Sequence, residues 1–285
     1  MKQSFVRHQD LLSFLVIISG VIILSSSCNK SSSYQSDHDH KAYHAIHYIP
    51  EPIHIDPSQI ETVKNIDENR KAFIASFLPL IQSANQSILN QRNLMKEILN
   101  DVNSEGSLNP KNMTAINTLL FYYRLAAIDS AHSGSNKHIM NSIDSLMLRI
   151  DVIPAKIAMA QAIIESGWGS SRFCHLANNY FGVHCYSKGC GVKPQHDQTS
   201  NFEVKKYHSK LDAIKDYLRI LNTGFAYVKL RKTRANARVN GEQVSPEQLA
   251  ETLGSYSEKG NTYIDLIKDI MHNYVPENMD ELLKE

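Results

Sequence analysis

One helix near the middle of the chain most constrains how the chain folds. Asp151 and Pro154 stand where a helix begins, because an acid caps a first turn and proline fits its first positions. An apolar, alanine-rich run follows, and Gly167 has the conformational freedom to end the helix in a left-handed residue. The last turn carries a carboxylate, Glu165, three residues before Trp168, the only tryptophan of the chain. The pattern therefore predicts a buried helix that ends in an acid.

The position of Glu165 predicts a general acid. Ala158 and Ala162 share its helix face, so small side chains leave room beside the carboxyl group. The negative end of the helix dipole and the dry environment near Trp168 both raise a carboxyl pKa. A raised pKa suits an acid that must hold its proton near neutral pH. The alternative is a surface glutamate followed by an ordinary turn.

Composition limits the classes of function. The chain has 285 residues, 42% of them hydrophobic, and a formal net charge of +1. This length accommodates one or two domains with a sizeable core. Because the chain is nearly neutral, nothing predicts nucleic acid as its main partner. The basic run Lys229–Arg238 is interpreted as a solvated helix face, with contact to acidic peptides as the alternative.

The N-terminus has the layout of a signal peptide. Lys2 and Arg7 precede the apolar run Leu11–Leu24, which is shorter than the roughly 20 residues of a membrane span. Small residues then lead to Cys28, as in a bacterial lipoprotein signal, although Leu24 lies one position further from the cysteine than is usual. We therefore expect a signal peptide at 1–27 and lipidation of Cys28. Simple secretion and an uncleaved anchor are the alternatives.

Residues 28–55 are polar, rich in serine and histidine and dotted with prolines, which is typical of a flexible tether. The histidines of the tether match no recognised metal-site spacing, so a solvated linker is the favoured interpretation over a metal site; they are His38, His40, His44, His47 and His54.

Three further cysteines follow the tether. In an oxidising compartment Cys185 and Cys190 can close a short loop as a disulfide. The alternative is a zinc site that combines these two cysteines with His196 and either His184 or Cys174, at a spacing unlike standard zinc motifs.

The remaining periodicity predicts mostly helix, split at or kinked by Pro79 in its first long segment, with one small β-hairpin near 202–207. The predicted helices cover 67–101, 113–127, 137–150, 151–166, 209–221, 227–239, 245–254 and 262–274. The fold class is thus α+β and predominantly α-helical. The predicted organisation is a helical N-terminal region at 56–135, a catalytic domain at 136–277 and a tail at 278–285.

A series of ordered motifs resembles one enzyme family. AQAIIESGWGSSRF and NNYFGVHC are followed by YHSKLDAIKDYLRIL, LNTGFAYVKLRKTR and LAETLGSYSEKGNTYIDLI. This combination resembles the glucosaminidase family of bacterial autolysins, glycoside hydrolase family 73, and within it the Bax-like branch. The resemblance covers residues 151–274 strongly and the preceding helices weakly.

The resemblance implies a lysozyme-like α+β fold that hydrolyses the β-1,4 bond between N-acetylglucosamine and N-acetylmuramic acid in peptidoglycan. It places the general acid on Glu165 and a catalytic tyrosine on Tyr256. Asp197 and Glu203 are the candidates for a second carboxylate, and the acetamido group of the substrate is an alternative. The candidate substrate-binding residues are Trp168, Asn178, Asn179, Phe181 and Tyr263. Trp168 is equally consistent with packing, and packing on the last helix is the alternative for Tyr263. Capping of the turn is the alternative for the two asparagines, and a core position is favoured for Phe181. No cofactor or metal is implied.

Two other functions compete with this interpretation. A muramidase or lytic transglycosylase uses the same scaffold and a single glutamate. A wall-binding lipoprotein without turnover would keep the groove and lose the chemistry. In each case the chain is expected to be exported and held by a lipid on Cys28 at a bacterial membrane, on its periplasmic or surface side. The helices at 56–135 are hypothesised to cover part of the groove.

Overall fold

The computed structural model describes residues 42–105, 108–129, 135–195, 199–242 and 244–283. The expected signal peptide, Cys28 and the first part of the tether, like Asp197 and His196, lie outside these residues. The described chain begins with a helical segment over 42–47. A 3-10 turn at Pro57–Gln59 follows and is capped by Asp56.

The first long helix, α1, runs from Glu68 to Glu105 and passes through Pro79 without a break. The predicted split at Pro79 is therefore wrong. Proline removes one backbone donor from a helix, but the same stretch buries Phe77, Leu78 and Ile81 completely in the core. The burial of this stripe stabilises the helix on both sides of the proline.

The next two helices are α2, Pro110–Tyr122, and α3, Asn136–Arg149. Helix α2 ends five residues before its predicted end, because Arg124 takes a positive φ of 57° and turns the chain. Tyr123, which is buried, ties this turn to α1 by donating a hydrogen bond to Gln91 (2.7 Å).

Helix α4, Ala155–Ser166, lies at the centre of the fold and is buried at most positions. Its N-cap is Pro154, without a side-chain cap, so the predicted capping role of Asp151 is wrong. The Asp151 carboxylate is buried and accepts hydrogen bonds from the guanidinium of Arg238 instead. Charge pairing with Arg238 satisfies this carboxylate better than a helix cap would.

A short helix and a small sheet follow. Helix α5 covers Arg172–Ala177, and the strands are β1, His184–Cys185, β2, Gly191–Val192, and β3, Glu203–Lys205. The strand order is β1-β3-β2 with both pairings antiparallel. The expected hairpin is thus one part of a three-stranded sheet, whose central strand comes last in the sequence and pairs with two strands too short to show a periodic pattern.

Helices form the rest of the described chain, and serines cap two of them as predicted. Ser209 caps α6, Lys210–Thr223, and Ser245 caps α8, Pro246–Ala250. Between and after them lie a 3-10 turn at Phe225–Tyr227, α7 at Val228–Val239, a 3-10 turn at Gly254–Tyr256, α9 at Asn261–Tyr274 and α10 at Met279–Leu282.

The basic run on α7 is a solvated face only in part, because Lys229, Lys232 and Arg238 are exposed while Arg231 and Arg234 are buried. Arg231 and Arg234 are each only 4% exposed. Arg231 donates to the carbonyl oxygens of Leu221 and Gly224, and Arg234 donates to that of Asp151. Backbone carbonyls at the ends of other segments thus supply the acceptors that make burial of these guanidinium groups possible.

One hydrophobic core joins α1 to the helices around α4. Asn85 of α1 also exchanges two hydrogen bonds with the backbone of Ile153, just before α4 begins. The architecture is α+β and mostly helical, as the sequence predicts. The domain boundary at 135/136 stays a prediction, and α10 packs Met279 of the predicted tail into the same core. Among the described residues, none of the helices has the length and apolar character that crossing a membrane requires.

Candidate active site

The end of α4 is shaped by a tight turn in the sequence Glu-Ser-Gly-Trp-Gly. Gly167, Trp168 and Gly169 all have positive φ, at 56°, 59° and 77°. Only Gly167 was predicted to be left-handed, and that prediction is confirmed. Ser166 closes the turn, because its hydroxyl donates to the carbonyl of Ala162 (2.5 Å) and accepts from the backbone of Gly169 (2.8 Å). A non-glycine residue in this conformation marks a strained position of the kind found at functional sites.

Trp168 is partly buried and packs on α1 and α9. Its ring meets Phe73 and Tyr274 edge to face, with centroid distances of 6.0 and 5.9 Å. The guanidinium of Arg70 lies over the same ring at 5.2 Å. These contacts give Trp168 a packing role and attach the turn after Glu165 to the start of α1.

Glu165 is partly buried and held at one oxygen. The hydroxyl of Tyr263, on α9, donates to Oε1 at 2.7 Å. A Cβ added to Gly182 would stand 3.5 Å from Oε2, so a backbone without a side chain lies beside the second oxygen. Burial raises the pKa of Glu165, opposed by the hydrogen bond from Tyr263 and by the charge of Lys259. The net effect is a raised pKa, which is what a general acid requires.

Tyr256 lies beside this pair, and its ring is parallel to that of Tyr263 with centroids 5.8 Å apart. Its hydroxyl donates to the carbonyl of Phe181 at 2.8 Å. Burial raises the pKa of Tyr256 well above its ordinary value, so this hydroxyl stays protonated at all physiological pH values. Tyr256 therefore serves as a neutral donor that fixes the segment before Gly182. Phe181 is buried and stacks on Tyr217 at 4.1 Å.

The two asparagines hold the same segment to the sheet. Asn179 is 2% exposed, and its side-chain nitrogen donates to the carbonyls of Val183 and Lys205, both at 2.8 Å. Its side-chain oxygen accepts from the backbone of Val183 (3.1 Å). Asn178 takes a left-handed conformation and donates to the carbonyls of Tyr207 and His208. Both amides are thus used in positioning the loop that carries Gly182.

Glu203 binds backbone amides in the small sheet. Its two oxygens accept from the backbone N–H groups of Gly189 (3.1 Å) and Gly191 (2.8 Å), and the bond from Gly189 is the leading cause of its lowered pKa. Between these glycines, Cys190 forms a disulfide with Cys185, with a Cα–Cα distance of 6.2 Å. Glu203 therefore stabilises the loop that the disulfide closes.

The same geometry bears on the alternative zinc site. The ligand atoms of Cys185, Cys190 and Glu203 lie within 4.8 Å of one another. However, a disulfide leaves no thiolate to bind zinc, and Cys174 is a free, buried cysteine whose thiol contacts the hydroxyl of Ser171. Asp197 and His196 lie outside the described residues, so the second candidate carboxylate has no described position.

Sequence reasoning missed two residues of the site. Gln161 and Tyr217 are both fully buried and are hydrogen bonded to each other, next to Tyr263. Gln161 is the only polar residue between Lys156 and Glu165, and it precedes Glu165 by four positions on the same helix face. A lone amide on an apolar helix, one turn from the acid, was the signal that could have found it.

Comparison with known proteins finds a family model that covers this site, together with similar curated sequences. The family model described as "Mannosyl-glycoprotein endo-beta-N-acetylglucosaminidase" matches residues 140–275. This segment matches the glucosaminidase family. The matched segment contains Glu165, Tyr256, Tyr263 and the whole β sheet, and it begins within α3.

Two curated relatives support membership in the glucosaminidase family. The chain is 30% identical to Protein bax of Escherichia coli over 198 residues, which cover 68% of this chain and 65% of that protein. It is 28% identical to the exo-glucosaminidase LytG of Bacillus subtilis over 138 residues, which cover 46% of this chain and 47% of LytG. The chain thus spans less than two thirds of either relative. No solved structure gives a significant match.

Proposed function

We propose that the protein is a peptidoglycan hydrolase that cleaves the β-1,4 bond between N-acetylglucosamine and N-acetylmuramic acid, with Glu165 as general acid. The observation that carries this proposal is the partly buried Glu165, held by Tyr263 on one oxygen and bordered by the bare backbone of Gly182 on the other. The glucosaminidase family match and the similarity to an exo-glucosaminidase support a glycosidase as the class of enzyme.

In the proposed reaction, protonated Glu165 transfers its proton to the glycosidic oxygen as the bond from the anomeric carbon breaks. Positive charge develops on the sugar ring, in an oxocarbenium-like transition state, and the leaving sugar departs as an alcohol. A water molecule then adds to the anomeric carbon and releases one proton. A pKa raised by burial favours the protonated form of Glu165 that the first step needs.

The group that assists the water is proposed separately. Both oxygens of Glu203 are already hydrogen bonded to backbone amides, which argues for a structural role. Asp197 and the acetamido oxygen of the substrate are the groups proposed for assisting the water, and the second would make a second carboxylate unnecessary. Tyr256, a neutral donor bound to Phe181, is proposed to hold the substrate or the loop rather than to act as a base.

The proposed place of action is the cell envelope. A lipid on Cys28 and the tether of residues 28–55 would hold the enzyme at a bacterial membrane with reach towards the wall. This part of the proposal rests on the N-terminal sequence. Labelling cells with a fatty acid analogue tests it, because Cys28→Ala should abolish the label and leave the protein as an uncleaved or freely secreted chain.

Purified peptidoglycan, digested with the full chain, tests the reaction. The new reducing ends are reduced with borohydride, and the reduced sugar is identified by mass spectrometry. Reduced N-acetylglucosamine is the expected product, lost by at least a hundredfold in Glu165→Gln because the proton donor is gone. The matched control is Glu251→Gln, which removes an exposed carboxylate paired with Lys268 and should leave the rate unchanged.

Other end products would point to the competing functions. Reduced N-acetylmuramic acid would indicate a muramidase, and anhydro ends that resist reduction would indicate a lytic transglycosylase. Absence of new ends, from a folded protein that sediments with the wall, would indicate a binding module. The length distribution of early products separates internal cleavage from release of terminal sugars, the mode that the name of LytG describes for that relative.

A further inference from the structure

Three buried polar side chains from three helices form a chain of hydrogen bonds, and the last of them donates to the carboxyl group of Glu165. Tyr217 of α6 donates from its hydroxyl to Oε1 of Gln161 (2.6 Å). Gln161 of α4 donates from Nε2 to the hydroxyl oxygen of Tyr263 (2.9 Å). Tyr263 of α9 donates to Oε1 of Glu165 (2.7 Å). Tyr217 and Gln161 are 0% exposed and Tyr263 is 2% exposed, so water does not compete for these bonds.

Tyr217, at the end of the chain furthest from Glu165, sets the direction of these hydrogen bonds. A tyrosine hydroxyl has a single proton to donate. If the Gln161 amide were reversed, its nitrogen would point at Tyr217, and the proton of Tyr217 would lose its acceptor in the core. The Tyr217 ring stacks on Phe181 at 4.1 Å, and the residue is fully buried. An unsatisfied buried donor is destabilising, so Tyr217 holds the amide oxygen of Gln161 on its own side.

This direction has a consequence at Glu165. Because Tyr263 accepts from Gln161, its only proton goes to Oε1 of Glu165. Oε1 is then an acceptor, and a proton on the carboxyl group lies on Oε2. Oε2 is the oxygen beside Gly182, where the loop has no side chain. The acid proton is thus directed away from the buried tyrosines and towards Gly182, which is exposed.

We propose that Gln161 is a positioning residue which, fixed by Tyr217, orients the Tyr263 hydroxyl so that the acid proton of Glu165 resides on Oε2. This inference deepens the proposed function and rests on it for its catalytic meaning. Its structural content, the direction of the hydrogen bonds, is independent of which glycosidic bond is cleaved. Gln161 acts through Tyr263 and is not itself assigned a contact with substrate.

The charged and titratable groups that interact with the Glu165 carboxyl group come from several elements packed around it. Lys259 precedes α9 and lowers its pKa, as does the hydrogen bond from Tyr263. Four tyrosine hydroxyls are near enough to feel its charge, and they are Tyr217, Tyr227, Tyr256 and Tyr263. Burial raises the pKa of Tyr227 to about 12 and also raises the pKa values of the other three tyrosines above their ordinary value. The four tyrosines therefore stay protonated, and Glu165 is the group whose protonation the proposal concerns.

The direct test is NMR on the full chain with labelled glutamine and tyrosine side chains. The Nε2 protons of Gln161 should show nuclear Overhauser contacts to Tyr263 rather than to Tyr217, and they should exchange slowly with water. Contacts from these protons to Tyr217 would mean the reverse amide orientation and would overturn the proposal. This measurement needs no substitution and no turnover.

Variants test the consequence for the acid. In Tyr217→Phe and in Gln161→Met the hold on Tyr263 is released, so its hydroxyl spends less time on Glu165. The pKa of Glu165, followed by carbon NMR of labelled glutamate, should rise in both variants, because the bond from Tyr263 lowers it. The basic limb of the pH–activity profile should move up with it. The plateau value of kcat/KM should fall roughly fivefold, because the acid proton is no longer confined to Oε2.

The matched control is Tyr123→Phe, which removes a buried tyrosine–glutamine hydrogen bond of the same kind at Gln91. It should lower stability and leave the pKa of Glu165 unchanged. An unchanged pKa in both Tyr217→Phe and Gln161→Met would show that Tyr263 orients itself and would refute the role of Gln161. If the pKa rises as expected while the wild type cleaves no wall, the hydrogen-bond direction stands and the proposed glucosaminidase reaction fails.

Discussion

Gly182 lies against the carboxyl group of Glu165, and a Cβ at this glycine would stand 3.5 Å from Oε2. The contact would be an ordinary van der Waals distance, yet it would occupy the side of the acid that faces the proposed substrate. Gly182 also has a φ of 67°, which favours glycine. Two separate effects are therefore expected from a side chain here, backbone strain and obstruction of the acid.

Gly182→Ala should lower the free energy of unfolding by about 1–2 kcal/mol, because alanine is strained at this φ. It should lower glycosidase activity by roughly tenfold, because the methyl group crowds the proton donor. Gly241→Ala is the control, since Gly241 has a φ of 69° with nothing within 4 Å of an added Cβ. A Gly241→Ala variant with the same loss of activity would show that strain alone explains the effect.

Glu165→Gln should stabilise the protein at neutral pH. The pKa of Glu165 is raised in the folded state, so the folded protein binds more protons than the unfolded chain between the ordinary pKa of 4.5 and the raised value. Stability of the wild type therefore falls as pH rises through this window. The glutamine side chain of the variant carries no charge, so the stability of the variant should not follow this fall.

Thermal unfolding at a series of pH values measures this difference. The melting temperature of Glu165→Gln should exceed that of the wild type at pH 8, and the gap should close at pH 4 and below. A gain of 1 kcal/mol corresponds to about 2–4 °C in a chain of this size. A gap that is constant with pH would mean that the charge of Glu165 is not the cause.

Glu203→Gln should destabilise the disulfide loop and preserve activity. The carboxylate accepts from the amides of Gly189 and Gly191, and a glutamine would set its own N–H group against one of these donors. Because the folded-state pKa of Glu203 is lowered, its contribution is present above its ordinary pKa and is lost as pH falls through the folded value. Hydrogen exchange of residues 185–192 and the rate on peptidoglycan are the measurements. Loss of turnover with unchanged exchange would make Glu203 the second catalytic carboxylate.

Phe77→Ala should destabilise the whole protein by about 3–5 kcal/mol, because the ring is fully buried between helices. Phe77 belongs to α1, outside the segment that matches the family model, and its ring meets that of Tyr180 within the segment at 4.7 Å. Phe121→Ala, at a position that is 85% exposed, should have little effect. Denaturant unfolding followed by circular dichroism and by Trp168 fluorescence should give coincident curves. Separate curves would mean that α1 unfolds apart from the catalytic segment.

The sequence was sufficient for the local features and insufficient for the long-range ones. Apolar periodicity and serine caps give α6 and α8 their starts, because these signals act within one turn. The partners of Asp151 and Arg234 depend on which segments meet after folding, so a cap and a solvated face were predicted where charges are buried. The three-stranded sheet was missed in part, since β1 and β2 have two residues each.

The candidate site also combines local features, which the sequence predicts, with long-range contacts, which it does not. Glu165 was identified from its place in one helix and its nearness to Trp168 in the sequence. Its hydrogen bond comes from Tyr263, 98 positions away, and its bare neighbour Gly182 comes from a loop. Spacing along the chain contains no information on such distant pairs. For that reason the roles of Asn179 and Tyr256 in holding the loop became visible only in three dimensions.

Helix α1 has 38 residues and is therefore about 57 Å long. Near its start Phe73 touches the turn after the acid, and further along Asn85 and Arg92 hold the backbone before α4 and at the end of α3. One helix thus serves as a common spine for the two ends of α4. A substitution in the middle of this spine should loosen both ends together, so a defect in turnover can originate several helical turns from any atom that meets the glycan.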